Sequence, residues 1–387
     1  MRRAALLLLL AAAARATAEE PAPKDAPGAP REAPVPTAPA PPAAPAQDVV
    51  DAAVARGVAW LRGEQKRDGS FGQGPGETAL ALLALRHSGV EGDDDACRRA
   101  ARRLEHELPD GTVYGAALGA VALLAQDARL HRAKVAELVD DLVAAQCANG
   151  QWSYGYRTTA RGKSGDNSNT QFALFALAAA RVRRLPVPDE PFARCAEFLR
   201  ATQNTDGGFG YSARERTDSY ASMTAGAAMC LALAASAAAG EPFGGAAARE
   251  DPAARRALAW LAEHFDAERN TGAAAAFGGR KGRRSDAFWR HYWLWSLERA
   301  AAANDTRELG RHDWYARGAE VLLARQGDDG QWRDPERELV ATCFALLFFR
   351  RSAGRTLTPS GEDLPEITPG GGPRPAAGDD AQPPRTE

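Results

Sequence analysis

The segment Arg317-Gly318-Ala319-Glu320-Val321-Leu322, followed by Gln326, Gly330 and Trp332, decides the fold because it recurs. Arg56-Gly57-Val58-Ala59-Trp60-Leu61 leads to Gln65, Gly69 and Phe71. Arg194-Cys195-Ala196-Glu197-Phe198-Leu199 leads to Gln203, Gly207 and Phe209, and a fourth copy keeps Gln146, Gly150 and Trp152. Self-similarity of this kind signals a repeat architecture. In each copy an amphipathic helical pattern ends near the Gln and a Gly-rich turn follows. A second, almost wholly apolar helical pattern then begins.

Working outward, six such pairs cover 49–87, 94–125, 131–181, 191–239, 252–303 and 313–351. Two are degenerate, with Glu107 and Phe265 at the Gln position. The eight prolines of this region fall in turns or at helix starts, where a fixed φ and a missing N–H do least harm. No alternating strand pattern survives. The first helix of a pair is half polar, as in Arg98-Arg99 and Arg102-Arg103 around Ala101 and Leu104. The second is apolar all round, as in Gln171-Phe172-Ala173-Leu174-Phe175-Ala176-Leu177. A helix apolar on every side must be enclosed. Six enclosed helices inside six amphipathic ones predict an all-α chain closed as an (α/α)6 toroid. An open superhelix would not enclose every second helix.

The Gln…Gly-x-aromatic turn resembles the repeat of squalene and oxidosqualene cyclases and of protein prenyltransferase β subunits, whose turns these QW-like turns follow across the core. Asp166-Asn167-Ser168-Asn169-Thr170-Gln171-Phe172-Ala173-Leu174, Tyr292-Trp293-Leu294-Trp295-Ser296-Leu297-Glu298-Arg299 and Thr342-Cys343-Phe344-Ala345-Leu346-Leu347 are similar to exported bacterial members of that superfamily. In this reading the Gln amide bonds the orphan carbonyls of a helix end and the aromatic covers them.

Both chain ends lie outside the repeats. Residues 1–18 read as an export signal: Arg2-Arg3, an apolar run from Ala4 to Ala14, then Ala16-Thr17-Ala18. The apolar run is too short and too N-terminal for a membrane span, and no other long one stands out, so no transmembrane segment is expected. Residues 19–47 hold ten Pro and nine Ala and read as an extended linker. The toroid is expected over 48–353, and the seven Pro from Gly354 onward predict a disordered tail over 354–387. The protein is thus expected in the periplasm or outside the cell. A net charge of −2 argues against a nucleic-acid partner. Five scattered cysteines make no disulfide scaffold and read as small buried hydrophobes.

The chemistry implied by the resemblance is incomplete. The Asp-x-Asp-Asp acid of squalene-type cyclases is missing, and the nearest cluster, Asp93-Asp94-Asp95, suits a helix cap. Prenyltransferases hold zinc through Asp-x-Cys and a His. Here Cys343 is present, Ala341 stands at the Asp position, and His291 is the one neighbouring candidate. No metal or other cofactor is therefore expected, since zinc takes at least three protein ligands.

Acids do mark five inner-helix starts: Glu77, Asp166, Asp218, Asp286 and Glu338. In a closed ring they would gather at one mouth. Each also suits a cap, and Asp166 with Asp218 is the candidate acid–base pair. The longest turns carry nine cations: Arg157, Arg161, Lys163, Arg214, Arg216, Arg280, Lys281, Arg283 and Arg284. They read as a basic rim. Below it, Phe172, Tyr220, Met223, Phe288, Trp289, Tyr292, Trp293, Trp295 and Phe344 supply an aromatic interior. Candidate ligand-binding residues are Trp152, Asn167, Asn169, Gln171, Tyr220, His291, Tyr292, Trp293 and the four cations of 280–284. Two functions fit. One is a toroid that binds a hydrophobic or amphiphilic molecule, such as an isoprenoid or lipid phosphate. The other is an enzyme, a divergent prenyl or terpene transferase or a glycan-cleaving hydrolase or lyase using the mouth acids.

Overall fold

The computed structural model describes residues 44–155, 164–213, 218–276, 286–333 and 337–359, all in one compact unit. Among them are fifteen helices and no strand beyond four isolated bridges. Six outer helices are α1 (Gln47–Gly63), α3 (Asp95–Glu107), α5 (Arg132–Ala144), α7 (Glu190–Thr202), α10 (Pro252–Glu263) and α13 (Trp314–Arg325). Six inner helices alternate with them: α2 (Pro75–His87), α4 (Val113–Asp127), α6 (Asn167–Val182), α8 (Ala221–Ala239), α12 (Arg290–Ala303) and α14 (Glu338–Phe349). Three short helices remain: α9 (Ala246–Glu250), α11 (Ala273–Ala276) and α15 (Ser352–Leu357).

The inner helices pack in sequence, α2 on α4, α4 on α6, α6 on α8, α8 on α12, α12 on α14, and α14 returns to α2. That last contact closes the ring. Burial explains the two compositions. Of α8, every residue from Ala221 to Ala234 is buried, because α6, α7, α10 and α12 surround it. By length and apolarity α8 alone among the described helices would suffice to cross a membrane, a run the sequence reading passed over. Its apolarity reflects enclosure by protein. The outer α3 buries only Ala96, Cys97, Ala100, Ala101 and Leu104. All five cysteines are free and buried.

The turn chemistry differs from the sequence expectation. The Gln side chain reaches across repeats, and does not bond its own helix end. Gln65 Nε2 donates to Gly69 O (3.0 Å) and to Ala96 O of α3 (2.8 Å). Gln146 Nε2 donates to Gly150 O and to Pro191 O of α7, both at 2.9 Å. Gln203 Nε2 donates to Gly207 O and to Ala253 O of α10, both at 2.9 Å. Gln326 Nε2 donates to Gly330 O and to Ala53 O of α1, both at 2.8 Å, and so joins the last repeat to the first. The orphan carbonyls of the outer helix fall instead to the aromatic: Trp152 Nε1 donates to Leu142 O (2.7 Å) and Trp332 Nε1 to Leu322 O (2.8 Å). An inner-helix threonine then fixes each aromatic. Thr78, Thr170, Thr224 and Thr342 Oγ1 accept from the backbone N–H of Phe71, Trp152, Phe209 and Trp332 at 2.9–3.0 Å.

The expected core end at 353 is too early. α15 is a packed helix, with Ala353 and Leu357 buried, and the Ala353 N–H donates to Glu298 Oε1 (2.9 Å). Glu298 is fully buried, and burial pushes its carboxyl from 4.5 up to about 8. Between those values the folded chain holds a proton that the unfolded chain has released. Stability therefore falls as pH rises from about 4.5 through about 8. Glu298→Gln keeps an acceptor for Ala353 and removes the proton, so its melting temperature is expected to change less between pH 5 and 9 than that of wild type. Parallel melting curves would contradict this assignment.

Gly330 has φ +91°, and a Cβ there would lie 2.5 Å from Arg56 O. Gly330→Ala is expected to cost about 2–4 kcal/mol from the left-handed backbone and the clash together. Gly63→Ala, with open space around it, should match or exceed wild type. Urea unfolding of both variants checks the pair.

Candidate functional site

All six inner helices send their N-terminal ends to one cavity of about 540 Å³ on the ring axis. α2 supplies Glu77 and Leu80, α4 Tyr114 and Leu118, and α6 Ser168 and Phe172. α8 and its entry supply Tyr220, Ser222 and Met223, α12 and its entry Phe288, Trp289 and Tyr292, and α14 Val340 and Phe344. Tyr154 and Tyr211 complete the rim, and Tyr154 is 57% exposed. The rings touch one another: Tyr114 meets Phe172 edge-on at 4.9 Å, Phe172 stacks with Tyr292 at 6.2 Å, and Tyr292 tilts onto Phe344 at 5.8 Å. Trp289 holds φ +64°, a left-handed backbone that costs a bulky residue about 1–2 kcal/mol. It is still placed at the cavity edge, 6.0 Å from Tyr292.

Hydroxyls link the wall. Tyr114 and Ser168 are 2.6 Å apart, and Ser168 and Tyr292 2.9 Å. Tyr154 and Tyr211 hydroxyls lie 2.5 Å apart. Burial pushes the phenols of Tyr114, Tyr211 and Tyr292 above their ordinary range, Tyr292 to about 12. All stay neutral at physiological pH. Among the described residues the one carboxylate on the lining, Glu77, is paired with Arg337.

Under the floor lies a cation. Arg299 is fully buried, and its guanidinium carbon sits 3.9 Å from the Trp295 ring centre and 4.9 Å from that of Phe172. One nitrogen donates to Gln171 Oε1 (2.7 Å), while Nε and Nη1 have no hydrogen-bond partner among the described residues. Burial lowers its pKa to about 10, so it remains charged and is held by π faces. Gln171 Nε2 donates to the Tyr292 hydroxyl. Gly226 makes room for that amide, since a Cβ there would lie 2.6 Å from Gln171 Cδ.

The sequence-predicted residues divide clearly. Phe172, Tyr220, Met223, Phe288, Trp289, Tyr292 and Phe344 line the cavity. Trp293 and Trp295 do not. Trp293 is fully buried, and its indole donates to Asp266 O (3.0 Å), which ties the inner ring to an outer turn. Trp152 is likewise a buried turn residue bonded to Leu142 O. Gln171 is saturated below the floor. Asn167 bridges Gln151 and Gly210 O at 2.9 Å each, and Asn169 bonds Asp166. Expected as ligand contacts, Trp293, Trp152, Gln171, Asn167 and Asn169 all lie off the lining. Each makes a side-chain hydrogen bond within the fold, while Asn169 Oδ1 is buried with no hydrogen-bond partner among the described residues.

Asp166 is the N-cap of α6, accepting from the Asn169 N–H at 2.8 Å, and burial raises its pKa. Asp218 is exposed and off the lining, so the proposed acid pair does not face the cavity. His291 is buried on α12 off the lining, and Cys343 is fully buried, with burial pushing its thiol far up, against a metal-binding thiolate. No three His, Cys, Asp or Glu side chains converge among the described residues. The nine rim cations, Arg157, Arg161, Lys163, Arg214, Arg216, Arg280, Lys281, Arg283 and Arg284, lie outside the described residues.

Sequence reading missed Tyr114, Tyr154, Tyr211 and Arg299 as parts of the site. Tyr114 had a signal, standing just after a Gly turn at an inner-helix start. Tyr154 and Tyr211 lie in turns with no periodicity to mark them.

A double ring of helices around an aromatic axial cavity is an α/α toroid. The chain belongs to the prenyltransferase alpha-alpha toroid domain family, whose model matches residues 45–320. No curated protein matches the sequence. Among solved structures, the GH76A alpha-1,6-mannanase from Salegentibacter sp. HEL1_6 aligns over 79% of this chain and 99% of its own, at 11% identity and a TM-score of 0.55. A possible GH105-family member from Salmonella enterica aligns over 84% and 99%, at 9% identity and 0.52. The ent-copalyl diphosphate synthase from Streptomyces platensis aligns over 72% and 50%, at 21% identity and 0.42. The first two likenesses show a shared fold.

Tyr292→Phe keeps the ring stack but leaves Ser168 and Gln171 short of a partner. It is expected to lower unfolding free energy by about 1–3 kcal/mol, the cost of orphaned buried polar groups. Urea titration measures it.

Proposed function

We propose that the exported toroid binds an amphiphilic molecule, an isoprenoid or lipid phosphate, with its apolar chain in the axial cavity. The observation that carries this reading is the wall itself: rings and aliphatic groups from all six inner helices, tipped by neutral hydroxyls, with Glu77 neutralised by Arg337. A cavity of about 540 Å³ falls within the range of small-molecule sites, and its linked aromatics offer the area on which chain burial depends. The basic turns, chiefly Arg280, Lys281, Arg283 and Arg284, are assigned to the anionic head on the strength of the sequence. Binding requires no acid motif and no metal.

Cleavage of a glycan is the second reading, supported by the toroid's likeness to the mannanase and by Glu77 on the lining. Inactive variants of that mannanase are altered at two adjacent aspartates. Adjacent aspartates in the described part of this chain, Asp93 to Asp95, Asp140-Asp141 and Asp328-Asp329, are all off the lining. The amphiphile reading is therefore preferred.

A fluorescent polyisoprenyl phosphate is expected to bind the full chain saturably. Phe172→Ala and Phe344→Ala should each weaken binding about tenfold or more, as loss of a buried aromatic anchor does. Trp293→Ala should lower stability by about 3–5 kcal/mol without selectively weakening binding at the ligand-stabilised fold. Binding of α-1,6-mannotriose with none of the polyisoprenyl phosphate would favour the glycan reading instead.

A further inference from the structure

We propose that the end of the ring opposite the aromatic cavity carries a second binding site, a basic cleft that takes a phosphate-bearing anion. The cleft has a volume of about 670 Å³ and lies where the C-terminal ends of α2, α4 and α6 meet α15. Among the described residues its charged lining is Arg86, Arg129, Arg183 and Arg355 against one acid, Asp127. It shares no residue with the axial cavity, so this inference does not rest on the function proposed there.

Helix C-termini attract cations, and part of this arginine set does that work. Arg86 Nε donates to Ala125 O (3.1 Å), and Arg183 Nη1 donates to Thr358 O (2.9 Å). Magnitudes decide whether that accounts for all of it. Four helix C-termini, that of α15 included, carry up to roughly half a negative charge each. Asp127 adds one full charge, and its Oδ1 is turned to the backbone N–H groups of Arg129 (3.0 Å) and Leu130 (2.9 Å). Four guanidiniums still exceed that total, which leaves a surplus of roughly one positive charge. Among the described residues no carboxylate forms an ion pair with Arg86, Arg129, Arg183 or Arg355. This surplus sits on a chain whose net charge is −2.

His87 lies among these arginines and registers their field. Burial, followed by the charges of Arg355, Arg86 and Arg183, lowers its pKa from 6.5 to about 4. Arg129 and Arg355 are exposed, and the one bond of the Arg355 guanidinium among the described residues, Nη1 to His87 O, is long at 3.4 Å, so a ligand's oxygens can replace it. Several forked cations around one cleft match the three or more acceptor oxygens of a phosphate better than the two of a carboxylate. A soluble phosphate ester and a lipid headgroup offer the same chemistry.

The test uses the full chain, with inorganic pyrophosphate as soluble probe and phosphatidylcholine vesicles doped with phosphatidic acid as lipid probe. Calorimetry or co-sedimentation should show saturable binding of at least one. Arg129→Ser/Arg355→Ser should weaken it at least about tenfold with the melting temperature kept, and Arg129→Lys/Arg355→Lys should restore part of it. In wild type, histidine-resolved NMR should show the His87 pKa rising by about one unit when that probe is bound, because an anion offsets the guanidinium field. Pyrophosphate binding assigns a soluble ligand, and vesicle binding alone assigns a headgroup. Failure to bind either probe, binding untouched by the double serine variant, or a His87 pKa unmoved by the bound probe overturns the proposal. Phe172→Ala should leave this binding intact, which separates its outcome from that of the axial cavity.

Discussion

Closure of this toroid depends on a side-chain amide that bridges successive repeats at four of the six turns. A Gln at the end of an outer helix bonds its own turn and the first residues of the next outer helix through the same nitrogen. Each bond contributes about 1 kcal/mol net, but its larger effect is geometric. It fixes the rotation from one pair to the next, so that Gln326 meets Ala53 and the chain closes. Arginines of the following helix complete the lock, with Arg56, Arg99 and Arg256 donating to the oxygens of Gln326, Gln65 and Gln203. The turn glycines permit it, since Gly69, Gly150, Gly207 and Gly330 all have φ near +90° where the neighbouring backbone passes.

The two repeats without a Gln are held by other means. Between α3 and α5, Lys134 Nζ donates to Leu108 O (3.0 Å), and His131 meets Glu105 at 2.8 Å. Between α10 and α13, the rings of Phe265 and His312 lie 5.0 Å apart. The ring tolerates these substitutions because closure constrains both neighbours of every pair.

Closure also sets the character of the axis. Small residues such as Gly226 let the inner helices approach, and the space left holds Gln171, Tyr292 and Arg299 in place of a purely apolar plug. A guanidinium suits this position because its flat faces rest on Trp295 and Phe172. Above that layer the axis opens into aromatic walls. At the far end, where inner-helix carbonyls converge, arginines gather around His87. The same parallel packing of inner helices thus produces two ends of opposite chemistry.

The alternation of half-polar and wholly apolar helices was legible in residues such as Arg98 to Leu104 and Gln171 to Leu177, because enclosure is written into composition. The recurrence of Gln, Gly and an aromatic marked the turns for the same reason: each needs its residue type locally. Seven cavity-lining side chains, Phe172 and Tyr292 among them, could be read because inner-helix starts are periodic. What a side chain does within that ring could not be read. Trp293 and Tyr292 are adjacent, yet one faces an outer turn and the other the axis, since 100° of helical rotation separates them. Asn167 and Gln171 look like ligand contacts until tertiary packing supplies Gly210 and Arg299 as their partners. The packing of α15, and with it the cleft around His87, depends on contacts between residues some 270 positions apart, such as Arg355 with His87, which no local pattern encodes.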